Sequence, residues 1–364
     1  MSYVHREITK LITLERRIIN CWRNSFVVRH TWELIRNYLN MKEQNTGNRR
    51  HSNFPHRTQH LFSKMTTLLW KSAHPITRGK FMLQRSMSLY DHNHGFQEDA
   101  IKKKLQQFTG GSVSLSKEDD GIGTLTLNNT KFMNAFTGTM MIELQERISE
   151  LENWKDGKGL IIHGAGNTFC SGSDLNAVRA LSSPQDGMHM CMFMQNTLTR
   201  LMRLPLITVA LVQGKALGGG AELTTACDFR LMVPESEIRF VHKQMGLVPG
   251  WGGAARLVHL LGSSLALKLL SGAVKVDPEM ALCVGLAEAM LPTSDEGDCL
   301  QEARAWLKPY TDGPAEVIQA VKKVVSAGRE LQLEVALRTE KKIFGTVWGG
   351  PANLQALAQR TKHK

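Results

Sequence analysis

Three glycine-rich turns carry the residue types in this chain that could do chemistry. They are Thr168–Leu175 (TFCSGSDL), Gln213–Asp228 (QGKALGGGAELTTACD) and Met245–Leu257 (MGLVPGWGGAARL). Glycine lets a backbone turn sharply and lets a ligand come close to the main chain. The run Gly218–Gly220 is expected to open a helix, where unpaired N–H groups and a partial positive charge face outward. Such turns can hold an oxygen atom that comes to carry negative charge.

Each turn, taken alone, is more often a packing turn than a binding site. No Lys-Ser or Lys-Thr pair follows the glycines, which disfavours a phosphate-binding loop, and their spacing is not that of a dinucleotide fingerprint. The His, Cys, Asp and Glu positions show no metal-ligand spacing. We therefore expect no metal ion and no bound cofactor.

Apolar patterning places these turns among the strands and helices of an α/β fold. Alternating or unbroken apolar runs predict strands, and apolar residues spaced by three and four predict helices. Strand and helix alternate along the chain, as they do in α/β proteins. The predicted strands are Gly121–Leu127, Gly159–His163, Leu206–Gln213 and Phe229–Val233, and the predicted helices are Met140–Leu151, Met188–Met202, a helix from Gly218, and segments within 253–272 and 314–345.

The formal net charge of +12 comes from the N-terminal quarter of the chain. Residues 1–90 contain 16 Lys or Arg and four acids, and the remaining 29 bases and 29 acids cancel. A neutral body argues against nucleic acid as a partner, because nucleic-acid binding uses a basic surface. We predict that residues 1–107 are a basic, largely disordered extension and that residues 108–364 are the folded domain.

The N-terminal region also bears on the compartment. Residues 65–90 begin with Met65 and are rich in Ser, Thr, Lys and Arg without an acid, which is typical of a mitochondrial transit peptide. A basic tail with a second start at Met65 is the alternative. The six cysteines form no Cys-x-x-Cys pair, which favours reduced thiols. No apolar run reaches the roughly 18 residues of a membrane span. We predict the cytosol, without membrane association, and keep the mitochondrial matrix as the alternative.

In their order and spacing, the three turns resemble the crotonase (enoyl-CoA hydratase/isomerase) superfamily. The matching segments are Phe169–Leu175, Gly214–Leu223, Cys227-Asp228 and Pro249–Gly253. The resemblance covers about residues 108–364. It implies a spiral of ββα turns with a helical C-terminal region, an acyl-CoA substrate, and a homotrimer or homohexamer completed by that region.

The resemblance also implies an oxyanion hole made by the backbone N–H groups of Ser173 and Gly219. A thioester oxygen gains charge only as the enolate forms, so fixed donors stabilise the transition state more than the substrate. The Ser173 side chain stays free to contact a substrate carboxylate. Residues that we expect to line the substrate are Ser171, Gly172, Gly218 and Trp251, with a packing role for Trp251 as the alternative.

Members of this superfamily differ in their acid and base groups. A hydratase uses two carboxylates to position and deprotonate water. The first falls at Glu222, but the second falls at His242, or at Gln244 with a slip of two residues, and neither is a carboxylate. Decarboxylation of a malonyl-type thioester needs no base, because CO2 departs and leaves its electrons as the enolate. It needs one proton donor, and His242 suits this role, since histidine is partly protonated near neutrality. A structural His242 bonded to backbone is the alternative, and the charge state of Glu222 stays open.

Stretches outside the general motif point to the same reaction. They resemble those members of the superfamily that decarboxylate ethylmalonyl-CoA and methylmalonyl-CoA, a metabolite-repair activity. An enoyl-CoA hydratase or isomerase is the alternative enzyme. A catalytically inactive crotonase-fold protein that binds RNA or protein through residues 1–90 is the alternative of another class. The stretches are Asn129–Phe136, Ser171–Val178, Phe193–Leu198, Phe240–Met245 and Gly345–Leu354.

Overall fold

The computed structural model of the chain describes residues 89–293 and 295–359. Its main sheet has the strand order β1-β2-β3-β4-β6-β8, in which β1 is antiparallel to β2 and the other neighbours are parallel. A small parallel pair, β5 and β7, lies apart from this sheet. The strands are β1 Ser112–Lys117, β2 Ile122–Asn128, β3 Gly159–Gly164, β4 Ile207–Val212, β5 Lys215–Leu217, β6 Phe229–Met232, β7 Glu237–Arg239 and β8 Ala289–Met290.

Helices connect the strands and form the C-terminal part of the chain. They are α1 Glu98–Leu105, α2 Gly138–Glu152, α3 Leu175–Ala180, α4 Pro184–Arg203, α5 Gly219–Thr224, α6 Gly253–Leu261, α7 Ser263–Gly272, α8 Pro278–Val284, α9 Glu296–Thr311, α10 Ala315–Glu330, α11 Leu333–Val347 and α12 Pro351–Ala358. Short 3-10 helices cover His92–His94, Thr130–Phe132 and His242–Met245. No helix in the described part of the chain is long and apolar enough to span a membrane.

The central strands β3 and β4 are mostly apolar because both faces of the sheet are covered. Leu160 and Ile162 of β3 point to one face, which packs against α2 and α4 in the larger hydrophobic cluster. Ile161 between them belongs to a smaller cluster with Ala303 and Leu307 of α9. This two-sided burial explains why consecutive residues of β3 are apolar instead of alternating with polar ones.

The predicted elements are present, with differences at breaks in the chain. The segment 253–272 forms two helices, because Gly262 has a φ of 79° and interrupts the helical backbone. The segment 314–345 is likewise divided between α10 and α11. Strand β1 was not predicted; it is a partly exposed edge strand with mostly polar residues.

Folded structure begins before the predicted boundary at residue 108. Helix α1 buries Ile101 and Leu105, and Phe96 ahead of it is also buried. A Cβ at Gly138, the first residue of α2, would lie 1.9 Å from the Leu105 carbonyl oxygen, so α1 and α2 pack with close backbone contact. The predicted extension thus ends earlier than expected. Its residues 1–88 lie outside the described residues, and their predicted disorder stays a prediction.

Candidate active site

Backbone pairing brings the first two glycine-rich turns together. The Cys170 N–H donates to the Lys215 carbonyl over 3.0 Å, and the Leu217 N–H donates to the Cys170 carbonyl over 2.8 Å. Because the two segments pair in parallel, Gly172 lies next to the run Gly218–Gly220. A Cβ built on Gly172 would lie only 3.1 Å from the Gly219 nitrogen. The two predicted oxyanion donors are therefore on adjacent segments.

The donors at these two positions are not used by the fold. On either side of Ser173, the Phe136 N–H donates to the Gly172 carbonyl and the Asp174 N–H donates to the Phe136 carbonyl. The Ser173 N–H itself has no acceptor among the described residues. Gly219 is the first residue of α5, where an N–H has no acceptor inside the helix. Two unpaired backbone donors can therefore meet one substrate oxygen.

Trp251 forms a wall against the glycine run. A Cβ at Gly219 would lie 2.7–2.9 Å from three atoms of the Trp251 ring. The ring meets Phe136 edge-on, with centroids 5.7 Å apart and planes at 84°. Trp251 is 4% exposed, so it packs in the core at the edge of the candidate hole. The packing alternative for Trp251 is therefore observed, and its contact with an acyl chain stays a prediction.

Ser171 and Gly218 shape the two turns. The Ser171 hydroxyl donates to the Phe132 carbonyl over 3.2 Å, and its N–H donates to the Met133 carbonyl. Gly218 has φ 51° and ψ −120°, a conformation that disfavours any residue with a Cβ. Asp174 is the N-cap of α3 and accepts from the N–H groups of Asn176 and Ala177. Direct substrate contacts of these residues stay predictions.

Glu222 is the most fully bonded side chain of the site. It is 1% exposed, and its Oε2 accepts from the N–H groups of Trp251 and Gly253 over 2.8 and 2.7 Å. Its Oε1 accepts from the Gly250 N–H over 3.2 Å and lies 2.9 Å from His242 Nε2. This is the acceptor pattern of an ionised carboxylate, which offers about four lone-pair positions. Glu222 thus anchors the turn Pro249–Gly253, called below the Trp251 turn.

The His242 ring forms a hydrogen bond with a side chain. The sequence analysis had offered, as an alternative, a structural histidine whose ring is bonded to the backbone. His242 Nε2 lies 2.9 Å from Glu222 Oε1, within hydrogen-bond distance. Its Nδ1 is buried and has no partner among the described residues. A Cβ at Gly218 would lie 4.0 Å from His242 Nε2, so the imidazole lies beside the glycine run.

Arg256 is a supporting residue that the sequence analysis did not single out. Its Nη2 donates to the carbonyls of Glu222 and Trp251 over 3.1 and 2.9 Å. Burial lowers the pKa of Arg256 to about 10, so it remains charged at neutral pH. The sequence could have indicated this role, because Arg256 lies inside the third glycine-rich segment. An arginine enclosed in such a turn needs carbonyl or carboxylate partners.

No group of three or more His, Cys, Asp and Glu side chains in residues 89–293 and 295–359 could hold a metal ion. The site instead offers two backbone donors, an imidazole, and a carboxylate whose acceptor positions are filled. That set can stabilise a developing oxyanion and deliver a proton.

Replacing Ser173 by alanine tests its backbone against its side chain. The variant keeps the N–H, so an acyl-CoA without a free carboxylate should bind with unchanged Kd. The Ser173 hydroxyl has no partner among the described residues, so it is available to a substrate carboxylate. With a carboxylated acyl-CoA, we expect KM to rise about tenfold or more, because a hydrogen bond to a charged group contributes roughly 1.5–3 kcal/mol. Steady-state kinetics and calorimetric titration check this; equal losses with both ligands would contradict it.

Comparison with known proteins agrees with this geometry. The family model described as "Enoyl-CoA hydratase/isomerase" matches residues 117–349. The chain belongs to this enoyl-CoA hydratase/isomerase family. Solved structures with the same crotonase fold include an enoyl-CoA hydratase from Bacillus anthracis, with a TM-score of 0.63 and 24% identity over 68% of this chain and 95% of that one. A second, from Geobacillus kaustophilus, has a TM-score of 0.63 and 25% identity over 69% and 93%.

More similar relatives share one particular name. The ethylmalonyl-CoA decarboxylase of Gallus gallus is 72% identical over 298 residues, which are 82% of this chain and 100% of the relative. The ethylmalonyl-CoA decarboxylase of Homo sapiens is 61% identical over 302 residues, or 83% of this chain and 98% of the relative.

Proposed function

We propose that this protein decarboxylates ethylmalonyl-CoA to butyryl-CoA and CO2, and methylmalonyl-CoA to propionyl-CoA and CO2. The observation that carries the proposal is the filled carboxylate of Glu222 beside two unused backbone donors. The site can hold an enolate oxygen, but it offers no carboxylate to activate water. The relatives named ethylmalonyl-CoA decarboxylase support the same substrate.

The reaction follows from the positions of the groups. The bond between Cα and the free carboxylate breaks, CO2 leaves, and the bonding electrons form the thioester enolate. The N–H groups of Ser173 and Gly219 bind the enolate oxygen, and each such donor contributes roughly 3–4 kcal/mol to the barrier reduction. A proton then returns to Cα, which completes butyryl-CoA. None of these steps requires a metal ion or a bound cofactor.

His242 is the proton donor in this proposal, and Glu222 holds it in place. With Nε2–H bonded to Glu222, Nδ1 is the nitrogen left without a protein partner among the described residues, so we assign the transferred proton to Nδ1 of a protonated ring; this buried atom must face Cα once the substrate is bound. The ionised carboxylate stabilises that protonated ring, as acidic partners of catalytic histidines do. This assignment reduces the difficulty of an acidic residue near an anionic substrate, because the protonated His242 offsets the charge of Glu222 and three backbone N–H groups stabilise it.

Hydration is disfavoured for two reasons. Both Glu222 oxygens are occupied by donors from the protein, and the second carboxylate position is occupied by His242. A role as an inactive binding protein is disfavoured by the two unpaired donors, which have no structural use. We place the activity in the cytosol, as metabolite repair, with the mitochondrial matrix as the alternative compartment.

Substrate turnover tests this function directly. Purified protein mixed with ethylmalonyl-CoA should give butyryl-CoA and CO2, and crotonyl-CoA should remain unhydrated, both followed by mass spectrometry of the thioesters. Efficient hydration of crotonyl-CoA with ethylmalonyl-CoA untouched would establish the hydratase instead. Turnover of neither thioester would favour the binding protein.

The C-terminal helices support a homotrimer or homohexamer as the working form. Large apolar side chains remain exposed along α10, α11 and α12, including Leu333 at 74%. Others are Val325, Leu337, Phe344, Trp348, Leu354 and Leu357. A second copy of the chain is the occupant that the family resemblance implies for this surface, and apolar area of this kind is typical of such interfaces. Sedimentation equilibrium should give three or six times the chain mass; a monomer would contradict this.

A further inference from the structure

The Trp251 turn is held from outside as well as from Glu222. Its Gly250 carbonyl accepts from Gln195 Nε2 over 3.0 Å and from Cys191 Sγ over 2.8 Å, both on α4. Burial and the nearby Glu222 raise the pKa of Cys191, which keeps this thiol protonated and able to donate. Gly250 is therefore fixed at both its N–H and its carbonyl.

The orientation of the Gln195 amide depends on Tyr90. The two ends of an amide are nearly the same size, so their partners decide which end faces which group. The Tyr90 hydroxyl donates to Gln195 Oε1 over 2.6 Å. This contact directs the NH2 group of Gln195 towards the Gly250 carbonyl.

Tyr90 is itself held in place by buried polar contacts. Asn196 is 1% exposed, and its Oδ1 accepts from the N–H groups of Leu89 and Tyr90 over 2.8 and 2.9 Å. Its Nδ2 donates back to the Tyr90 carbonyl over 3.1 Å. The segment from Leu89 to the buried Phe96 is thus attached to α4, ahead of the residues that the family model matches.

We propose that Tyr90 is a positioning residue of the active site, which acts through the chain Tyr90–Gln195–Gly250–Glu222. The segment before the family domain then belongs to the catalytic unit. Tyr90 touches no reacting atom. It fixes the Gln195 amide, which fixes the Trp251 turn and with it the wall of the oxyanion hole and the Glu222 contacts that hold His242.

Hydrogen exchange in the full-length protein tests this without substrate. Tyr90→Phe removes only the hydroxyl and should raise amide exchange in the peptide with Gly250–Gly253 about fivefold, the effect of one lost hydrogen bond. The matched control is Tyr310→Phe. The Tyr310 ring packs at a tilt against Trp306, and its hydroxyl has no hydrogen-bond partner among the described residues. Peptides from β3 and β4 should be unchanged in both variants.

Two exchange results would overturn the proposal. One is unchanged exchange of the Gly250–Gly253 peptide in Tyr90→Phe. The other is an equal rise in β3 and β4, which would mean a general loss of stability. Because no substrate is present, neither result depends on the proposed reaction.

Kinetics give a second, separate readout. With ethylmalonyl-CoA, Tyr90→Phe should lower kcat about fivefold and change KM little. Gln195→Met removes all three contacts of the amide, those with Tyr90, Cys191 and Gly250, at similar volume. If the chain runs through Gln195, the double variant should be no slower than Gln195→Met alone, because coupled residues are not additive. Additive losses would overturn the proposed route. Absence of turnover by the wild type would count against the proposed reaction. The hydrogen-exchange result would still test the positioning role of Tyr90.

Discussion

Gly219→Pro is expected to lower kcat for ethylmalonyl-CoA by about 10²–10³-fold, the loss measured when one oxyanion donor is removed. Proline deletes the N–H that is proposed to bind the enolate oxygen. Its ring also occupies space that Trp251 fills, since a Cβ at this position lies 2.7–2.9 Å from that ring. Gly219 is the first residue of α5, where proline is compatible with a helix, so the fold can survive the change. Steady-state kinetics, with circular dichroism to confirm folding, measures the effect.

Two alanine variants separate the donor from the crowding. Gly219→Ala keeps the N–H but places a methyl group against Trp251, so its loss should be smaller than that of proline. Gly187→Ala on α4 is the matched control, because nothing lies within 4 Å of the added Cβ. It should leave kcat unchanged. A folded Gly219→Pro enzyme with near-normal kcat would mean that the oxyanion hole lies elsewhere.

Glu222→Gln should be the second most damaging change. The amide keeps one oxygen for the backbone of the Trp251 turn but presents an NH2 group to other donors. A buried donor left unpaired costs roughly 1–3 kcal/mol, and denaturant unfolding should show that loss. His242 also loses the acceptor that orients it and stabilises its charge. We expect kcat to fall about 10²-fold or more, the lower end of what acid–base catalysis contributes.

Glu143→Gln is the control for this change. Glu143 also accepts from a backbone N–H, that of Val113 over 2.6 Å, but lies on the outer part of α2 and outside the site. It should lose some stability and no kcat. If Glu222→Gln keeps wild-type kcat while unfolding more easily, Glu222 is a structural residue only, and His242 needs another partner or another role.

The sequence predicted the parts of the site that are local along the chain. Gly172 and the run Gly218–Gly220 are recognisable because positive φ angles and close backbone approach require glycine there. The buried strands were recognisable because both faces of the sheet are covered. These features depend on residue type and short spacing, which a sequence displays directly.

The contacts of Glu222 could not be predicted in the same way. Its partners are N–H groups 28 to 31 residues further along the chain, and any residue except proline supplies an N–H. The sequence therefore left its charge state open. The sequence analysis also missed helix α1, which begins the fold before residue 108. Ile101 and Leu105 have helical spacing, but they are the only large apolar residues of α1, which is too weak a pattern to predict a buried helix.

Trp251 donates to Glu222 through its backbone N–H and not through its indole ring. The contact that holds the turn and the side chain that packs beside Gly219 are therefore independent of each other. The anchor requires only a main chain at this position, so the side chain can change without loss of the anchor. Smaller side chains would leave room beside Gly219 and Phe136, whereas proline would remove the donor. If Trp251 contacts the acyl chain, as the sequence predicts, substitutions at position 251 would change acyl-group selectivity while the contacts between Glu222 and the main chain of the turn remain. Position 251 would then be a starting point for engineering a decarboxylase with a different substrate range.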